Sequence, residues 1–201
     1  MTDKVNSPEE LADWIARGAQ GDEAACAALY RQFSPPVMRL CLGLLGSLED
    51  AEEVTQDAFV YALRNLARFD PARSAFSTWL YTIALSRCRN KRRRKFLALI
   101  PLERLSNEAP KRQDRLVEAV LERRGVREQI WHALQTLPPR LREPVALRFL
   151  AELRYKEIGQ TLGCNPKTAE SRVRMGLVAM REALRAEGVE RDLDLVDQWA
   201  S

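Results

Sequence analysis

Residues 153–184 read LRYKEIGQTLGCNPKTAESRVRMGLVAMREAL, and they carry the clearest local pattern of the chain. Apolar residues recur every three or four positions on both sides of Gly163, which predicts two helices separated by a tight turn. Asn165 is suited to the N-cap of the second helix, and Pro166 is suited to its first position. Helices joined in this way are typical of a helix-turn-helix, whose second helix fits the major groove of DNA.

The outward face of this second helix carries polar side chains that are suited to contact DNA. Arg174 is suited to pair with guanine, while Lys167 and Arg172 are better suited to hold phosphates. An ordinary helical hairpin with a solvated charged face would have the same spacing. The candidate residues for reading duplex DNA are Asn165, Lys167, Thr168, Glu170, Ser171, Arg172, Arg174 and Met175.

The rest of the chain also favours helices, because period-two alternation is nearly absent and Ala, Leu, Arg and Glu dominate. Ser7, Pro8 and Glu10 form a capping box that begins the first helix. Pro35-Pro36 and Pro138-Pro139 are expected to stop helices. The predicted helices span residues 8–19, 22–33, 37–45, 48–69, 76–95, 129–137 and 144–150, followed by the two described above.

These helices predict an all-α fold of two small domains joined by a flexible linker. A helical bundle is expected over residues 1–97 and a smaller helix-turn-helix domain over residues 126–185. The apolar pattern thins between them, so residues 98–125 are predicted to be the linker. Residues 186–201 are acidic and are expected to form an appended helix or a frayed tail.

A concentrated positive charge lies near the end of the first predicted domain. Seven of the nine residues from 87 to 95 are Arg or Lys, and no Asp or Glu occurs between Asp70 and Glu103. The formal net charge of the whole chain is only +4. The clustering of these cations is therefore a stronger indication of a polyanionic partner than the net charge is. A solvated helix end would explain the run as well as a track for nucleic-acid phosphates would.

Three aromatic residues, Phe76, Trp79 and Tyr81, lie just upstream of the basic run and next to the small-residue loop 72–75. Rings beside cations suit single-stranded nucleic acid, because bases stack on the rings while phosphates contact the cations. The three rings cannot all share one face of a helix. At least one is therefore expected in the core, and Trp79 is the residue favoured for that position.

The sequence offers little for catalysis, metal binding or membrane insertion. Four cysteines lie far apart without C-x-x-C spacing, and His132 is the single histidine, so neither a zinc site nor a disulfide framework is expected. No phosphate-binding glycine loop or Ser-His-Asp set occurs, so no enzyme activity and no cofactor are expected. No signal peptide or membrane-spanning run is recognised, which favours a cytoplasmic protein.

Several further sequence motifs follow one another along the chain. Residues 21–25 read GDEAA, residues 50–59 read DAEEVTQDAF, and residues 74–81 read SAFSTWLY. Later in the chain follow Leu137-Pro138, Glu157-Ile-Gly159, Leu162-Gly163 and Ser171-Arg172. With these segments the chain resembles, over nearly its whole length, the extracytoplasmic function (ECF) subgroup of bacterial RNA polymerase sigma factors.

The resemblance implies an initiation factor that takes RNA polymerase to promoters and helps to open the DNA. It implies that an acidic helix face docks on the clamp helices of the large polymerase subunit, through Asp50, Glu52, Glu53, Gln56, Asp57 and Phe59. It further implies that residues 74–76 trap flipped bases of the minus-ten element while the basic helix holds the backbone. The residues implied in minus-ten binding and melting are Arg73, Ser74, Ala75, Phe76, Thr78, Trp79, Tyr81, Arg87, Asn90, Lys91, Arg93 and Arg94.

The helix from Lys167 would then read the minus-thirty-five element as duplex, and the implied partners also include the polymerase flap and an anti-sigma factor. Glu170 occupies a position that is often basic in the family, and Met175 one where Arg is common, so promoter preference is expected to differ. The main alternative is a helix-turn-helix repressor or activator that binds duplex DNA without being a polymerase subunit. That alternative leaves the aromatic loop and the basic helix unexplained.

Overall fold

The computed structural model describes residues 7–98, 128–186 and 188, and every regular element within these ranges is helical, which confirms the all-α prediction. The predicted linker, apart from Ala98, and the predicted C-terminal extension, apart from Ala186 and Gly188, lie outside the described residues. The elements are α1 (Pro8–Ala19), α2 (Glu23–Leu45), α3 (Leu48–Arg64), a 3-10 turn (Leu66–Arg68), α4 (Phe76–Ala98), α5 (Glu128–Thr136), α6 (Pro139–Phe149), α7 (Tyr155–Leu162) and α8 (Pro166–Ala186).

Short polar side chains cap the first three helices. The Ser7 hydroxyl accepts a hydrogen bond from the Glu10 amide at 3.2 Å, as the capping-box pattern predicts. Asp22 caps α2 by accepting from the amides of the next turn, and Ser47 caps α3 in the same way. Each cap satisfies backbone donors that the helix itself leaves without partners.

Helix α2 continues through Pro35-Pro36, so the prediction of two separate helices over residues 22–33 and 37–45 was wrong. Each proline removes one backbone hydrogen bond, at a cost of about 3 kcal/mol. Leu29 and Leu40, on either side of the pair, are both fully buried, and burying a side chain of this size contributes about 1.5–3 kcal/mol. The apolar stripe therefore maintains one helix where the local signal predicts a break.

Two other helix boundaries also differ from the prediction. Helix α3 ends at Arg64 rather than Phe69, because the chain tightens into a 3-10 turn that puts Leu66 in the core with 2% exposure. Helix α6 begins at Pro139 rather than near Pro144. Pro138 has extended backbone at the N-cap and Pro139 takes the first helical position, where a missing amide costs nothing.

The two groups of helices, α1–α4 and α5–α8, pack against each other and share one continuous set of buried residues. Helices α5 and α6 contact α2, and α7 contacts α4. The close approach depends on Gly43, where an added Cβ would lie 2.2 Å from Cδ1 of Leu150. Gln135 Nε2 donates to the Gly43 carbonyl at 2.8 Å, and Arg142 Nη1 donates to the Leu44 carbonyl at 3.3 Å. Nothing in the sequence pattern indicates this contact.

Within the described ranges, no helix combines the length and the apolar character that crossing a bilayer requires.

Candidate nucleic-acid interface

Helices α7 and α8 form the predicted helix-turn-helix. Gly163 ends α7 in the left-handed region, with φ of +68°, and the Cys164 amide donates to the Gly159 carbonyl at 2.9 Å. Asn165 Oδ1 accepts from the Thr168 amide at 2.7 Å and so caps α8. A Cβ at Gly159 would lie 2.6 Å from the Cys164 carbonyl oxygen, so the turn requires glycine at that position as well.

The start of α8 presents its polar face to solvent. Lys167, Glu170, Arg174 and Met175 are exposed, while Thr168, Ser171 and Arg172 are half-buried and Asn165 is used for the cap. The opposite stripe is buried, and its members are Ala169, Val173, Gly176, Leu177, Met180 and Leu184. The predicted reading residues are therefore together on one surface, apart from the capping Asn165.

The aromatic residues near the start of α4 form a cluster rather than an open stacking platform. Phe76 is 3% exposed and contacts three rings at centroid distances of 5.1 Å (Phe33), 5.4 Å (Phe69) and 5.7 Å (Trp79). Tyr81 is 4% exposed, whereas Trp79 is only partly buried. The expectation that Trp79 is the core ring of the predicted three was wrong, because Phe76 and Tyr81 occupy the core and Trp79 lies at its edge.

The loop before α4 is held as a turn by Asp70. Its Oδ1 accepts from the Ala72 amide at 2.9 Å, and its carbonyl accepts from the Arg73 amide at 3.1 Å. Arg73 and Ala75 are exposed and Ser74 is half-buried, so these three predicted residues are accessible. Thr78, from the same predicted set, is 2% exposed.

The cations of the basic run on α4 fall into three groups by their partners. Lys91 pairs with Glu53 and, at 3.5 Å, with Asp50, while Lys95 pairs with Asp50. The hydrogen bond that the Lys91 ammonium donates to the Glu53 carboxylate raises the pKa of Lys91, so the amine stays charged. Arg89 and Arg92 both pair with Glu143 on α6, and Arg87 lies over the Tyr61 ring at 5.0 Å.

Asn90, Arg93 and Arg94 complete the predicted minus-ten residues on α4. All three side chains are exposed. Within residues 7–98 and 128–186, neither Arg93 nor Arg94 forms an ion pair. These two arginines are consequently the cations of the run best placed to meet phosphates as the structure stands.

The acidic face of α3 separates into exposed and buried members. Glu52, Glu53, Gln56 and Asp57 are exposed, but Asp50 is 6% exposed and Phe59 is 2% exposed. Asp50 faces the lysines of α4, and the Phe59 ring packs edge-on against Tyr30 at 4.8 Å. Two of the six residues predicted to bind polymerase are therefore inside the surface rather than on it.

Sequence reasoning missed an apolar groove beside this face. The groove has a volume of about 500 Å³, and its lining residues are Tyr30, Ser34, Pro35, Met38, Leu48, Glu52, Thr55 and Gln56. The Tyr30 side chain is 41% exposed although it is large and mostly apolar. The signal that could have found the groove is the pair of apolar residues on α2, Pro35 and Met38, which the predicted helix break at the prolines obscured.

Two of the four cysteines lie in the core of the part of the chain that the structure describes. All four are free, and Cys41 and Cys88 are fully buried. A hydrogen bond with Cys41 and burial raise the pKa of the Cys88 thiol well above its ordinary value, which makes the thiol unreactive. Among the described residues no group of three or more His, Cys, Asp or Glu side chains is arranged to hold a metal ion.

Comparison with known proteins identifies the family to which the chain belongs. The family model for Sigma-70 region 2 matches residues 29–96, and that for Sigma-70 region 4 matches residues 127–180. The ECF RNA polymerase sigma factor SigE of Mycolicibacterium smegmatis is 30% identical over 194 residues, which cover 94% of this chain and 74% of the relative. The chain belongs to the ECF RNA polymerase sigma factors. Such factors bind core RNA polymerase and promoter DNA and start transcription without an enzymatic role.

Solved structures share the fold of this sigma factor. The structure of CnrH in complex with the cytosolic domain of CnrY has a TM-score of 0.66 at 22% identity, and covers 88% of this chain and 98% of CnrH. The sigma factor RpoE of Bartonella quintana, solved with the anti-sigma factor NepR, has a TM-score of 0.57 at 21% identity, with coverage of 76% and 92%. The match to both family models favours a polymerase subunit over a free-standing duplex-binding regulator.

Proposed function

We propose that the sigma factor divides promoter recognition between two separate surfaces. The polar face at the start of α8 reads the minus-thirty-five element as intact duplex, and the loop 73–75 with α4 holds the separated minus-ten strand. The observation that carries this division is the exposure of both sets of cations, with Lys167 and Arg174 on one surface and Arg93 and Arg94 on the other. Cations exposed on two different helices suit two contacts along one DNA.

The exposed polar face of α8 supports this reading role. The first turns of a recognition helix reach base edges in the major groove, and Arg174 has a planar fork that matches the two acceptors of guanine. Met175, 50% exposed, offers an apolar surface to the methyl group of thymine. Glu170 adds an acceptor suited to the amino group of cytosine. Lys167 lies at the N-terminal end, where it contacts a phosphate and carries no sequence information.

Replacing Arg174 with alanine should reduce discrimination at one base pair of the minus-thirty-five element by about 1–3 kcal/mol. Lys167→Ala is the matched control, since it also removes an exposed cation from α8. The control should weaken binding to all sequences by a similar factor. The measurement is holoenzyme affinity for promoters in which each base pair of the element is replaced in turn. Uniform weakening by Arg174→Ala would contradict the reading role.

The surface that holds the minus-ten strand is not a row of exposed aromatic rings. Phe76 and Tyr81 support the start of α4 from the core, and Trp79 at the edge of the cluster is the ring available for stacking. A base stacked on an aromatic side chain contributes about 1–3 kcal/mol, which is of the size needed to offset loss of stacking in duplex DNA. Arg73 and Ser74 then contact the strand from the loop, and Arg93 and Arg94 hold the adjoining backbone.

Docking on the clamp helices of the large polymerase subunit is assigned to the exposed part of α3. Glu52, Gln56 and Asp57 supply charge and hydrogen bonds, and the groove lined by Tyr30 and Met38 supplies apolar contact. Asp50 and Phe59 act from beneath this surface, because Asp50 pairs with Lys95 and Phe59 supports Tyr30. An apolar centre with a polar rim is the usual composition of a specific protein interface.

A restraining partner and a cytoplasmic location accompany this function. The Bartonella relative is solved with an anti-sigma factor, and this supports a comparable restraining partner for this chain. The helix-turn-helix group would also contact the polymerase flap. We place the protein in the cytoplasm, where core polymerase and chromosomal DNA are found, with no catalytic activity of its own.

A further inference from the structure

Tyr61 on α3 and Arg87 on α4 form a pair at the surface between the two helices. The guanidinium carbon of Arg87 lies over the Tyr61 ring, 5.0 Å from its centroid. Tyr61 is 42% exposed, although its ring is large and mostly apolar, and Arg87 is half-buried. A guanidinium stacked on a ring is held through its flat face, so the N–H groups along its edge stay free for other acceptors.

Arg87 differs in its partner from the other half-buried cations of α4. Lys91 is paired by Glu53, and Arg92 is paired by Glu143. Within residues 7–98 and 128–186, Arg87 has the ring as its partner and forms no ion pair. Its charge is therefore not neutralised by a carboxylate of the described chain and is available to an anion from outside it.

The backbone on both sides of this pair is fixed by the fold. Asn65 Nδ2 donates to the Tyr61 carbonyl at 2.8 Å and closes the last turn of α3. Ala62 follows Tyr61 and Cys88 follows Arg87, and both are buried where α3 and α4 contact each other. The ring therefore restricts the Arg87 side chain before any ligand arrives, so less rotamer freedom is lost on binding.

The pair lies on the helix that the proposed function assigns to the DNA backbone. Arg87 is about 16 Å along α4 from Phe76, which follows the loop 73–75, and the exposed Arg94 is about 10 Å further along. The second spacing is about two helical turns, so Arg87 and Arg94 project from the same face. A strand that runs from the loop to Arg94 passes Arg87, and the anion it offers there is a phosphate.

We propose that Arg87 binds a phosphate of the minus-ten strand and that Tyr61 is the positioning residue that holds the Arg87 guanidinium for this contact. The ring supports the plane of the guanidinium, and its edge donates two parallel hydrogen bonds to the phosphate oxygens. This inference rests on the proposed function, because it takes α4 to be the helix that holds the strand. It adds a residue of α3 to a surface otherwise formed by α4 and the loop before it.

The test measures holoenzyme affinity for a fluorescein-labelled premelted promoter template by anisotropy over a range of salt concentrations. Arg87→Ala should weaken binding about 5-fold at 0.1 M salt and make the logarithmic slope shallower by about 0.7, as for one lost phosphate contact. Tyr61→Leu keeps the Arg87 charge, so its slope should stay near the wild-type value while affinity falls about 2–5-fold, the size of one exposed cation–π contact. In protein that already carries Arg87→Ala, Tyr61→Leu should have no further effect.

Tyr61→Phe keeps the ring and should bind as the wild type does. Val60→Ala is the matched control, because it truncates an exposed side chain of α3 beside Tyr61, and it should also leave binding unchanged. The inference is overturned if Tyr61→Leu binds as the wild type does. It is also overturned if the effect of Tyr61→Leu persists without Arg87, since the ring would then stack a base itself. A loss of affinity matched by a lower urea midpoint would overturn it as well, because the pair would then only support the fold.

The double variant Arg93→Ala with Arg94→Ala separates failure of this inference from failure of the proposed function. If the double variant flattens the salt slope and Arg87→Ala does not, the roles of Arg87 and Tyr61 alone are refuted. If neither protein has a shallower slope, α4 does not hold the strand, and the proposed function fails as well.

Discussion

Replacing Phe76 with alanine should lower the free energy of unfolding by about 3–5 kcal/mol, as is usual for truncating a buried phenylalanine. The ring is 3% exposed and is surrounded by Phe33, Phe69 and Trp79. Truncation leaves a cavity that these rings can fill only in part, because Phe33 is fixed on α2, Phe69 directly follows the 3-10 turn, and Trp79 is fixed on α4. Urea unfolding followed by circular dichroism measures the loss.

Phe96→Ala is the control for this result. It removes the same atoms from a ring that is 68% exposed near the end of α4, so the free energy of unfolding should change by less than about 0.5 kcal/mol. A Phe76→Ala protein that unfolds at the wild-type urea concentration, yet fails to open promoter DNA, would contradict the assignment of Phe76 to the core. Permanganate reactivity of promoter thymines reports the opening in the same preparation.

Replacing both Arg93 and Arg94 with alanine should weaken holoenzyme binding to a premelted promoter template by about 25-fold at 0.1 M salt. This factor takes each arginine to contact one phosphate, with each contact contributing about 0.7 to the logarithmic salt slope. Both side chains are exposed on α4 and form no ion pair with the described residues, so alanine at these positions leaves no buried charge behind. The salt dependence of binding should become shallower by about 1.4. Filter binding or anisotropy over a range of salt concentrations measures both quantities.

Arg140→Ala with Arg185→Ala provides the control for the charge change. These two arginines are also exposed, but they lie on α6 and α8 rather than on the basic helix. The control pair should leave the slope on a premelted template near the wild-type value. If the Arg93 and Arg94 double variant changed which minus-ten sequence is preferred while its slope stayed the same, the backbone-holding role would be refuted.

Local signals account for the parts of the fold that were predicted correctly. Asn165 and Pro166 specify the start of α8 through a side-chain cap and a preset φ, and both act within one turn of helix. Ser7 specifies the start of α1 in the same way. The reading face of α8 follows from helical periodicity alone, since Ala169 and Val173 define the buried stripe and leave the opposite face exposed.

Longer-range packing accounts for what the sequence could not predict. The prolines of α2 break the local helix signal, but the buried stripe from Leu29 to Leu40 overrides it. Phe76 and Trp79 are both large apolar residues near one helix start, and their order of burial depends on where Phe33 and Phe69 lie. Glu143 pairs with residues more than fifty positions away, a separation at which no spacing rule applies.

Run-off transcription with sigma-free core polymerase on a library of genomic fragments tests the central claim most directly. We expect this chain to produce defined start sites, whose upstream DNA shares two spaced sequence elements that Arg174→Ala and Arg93→Ala affect separately. Start sites identical to those of core polymerase alone, on every template and at every salt concentration, would contradict the account.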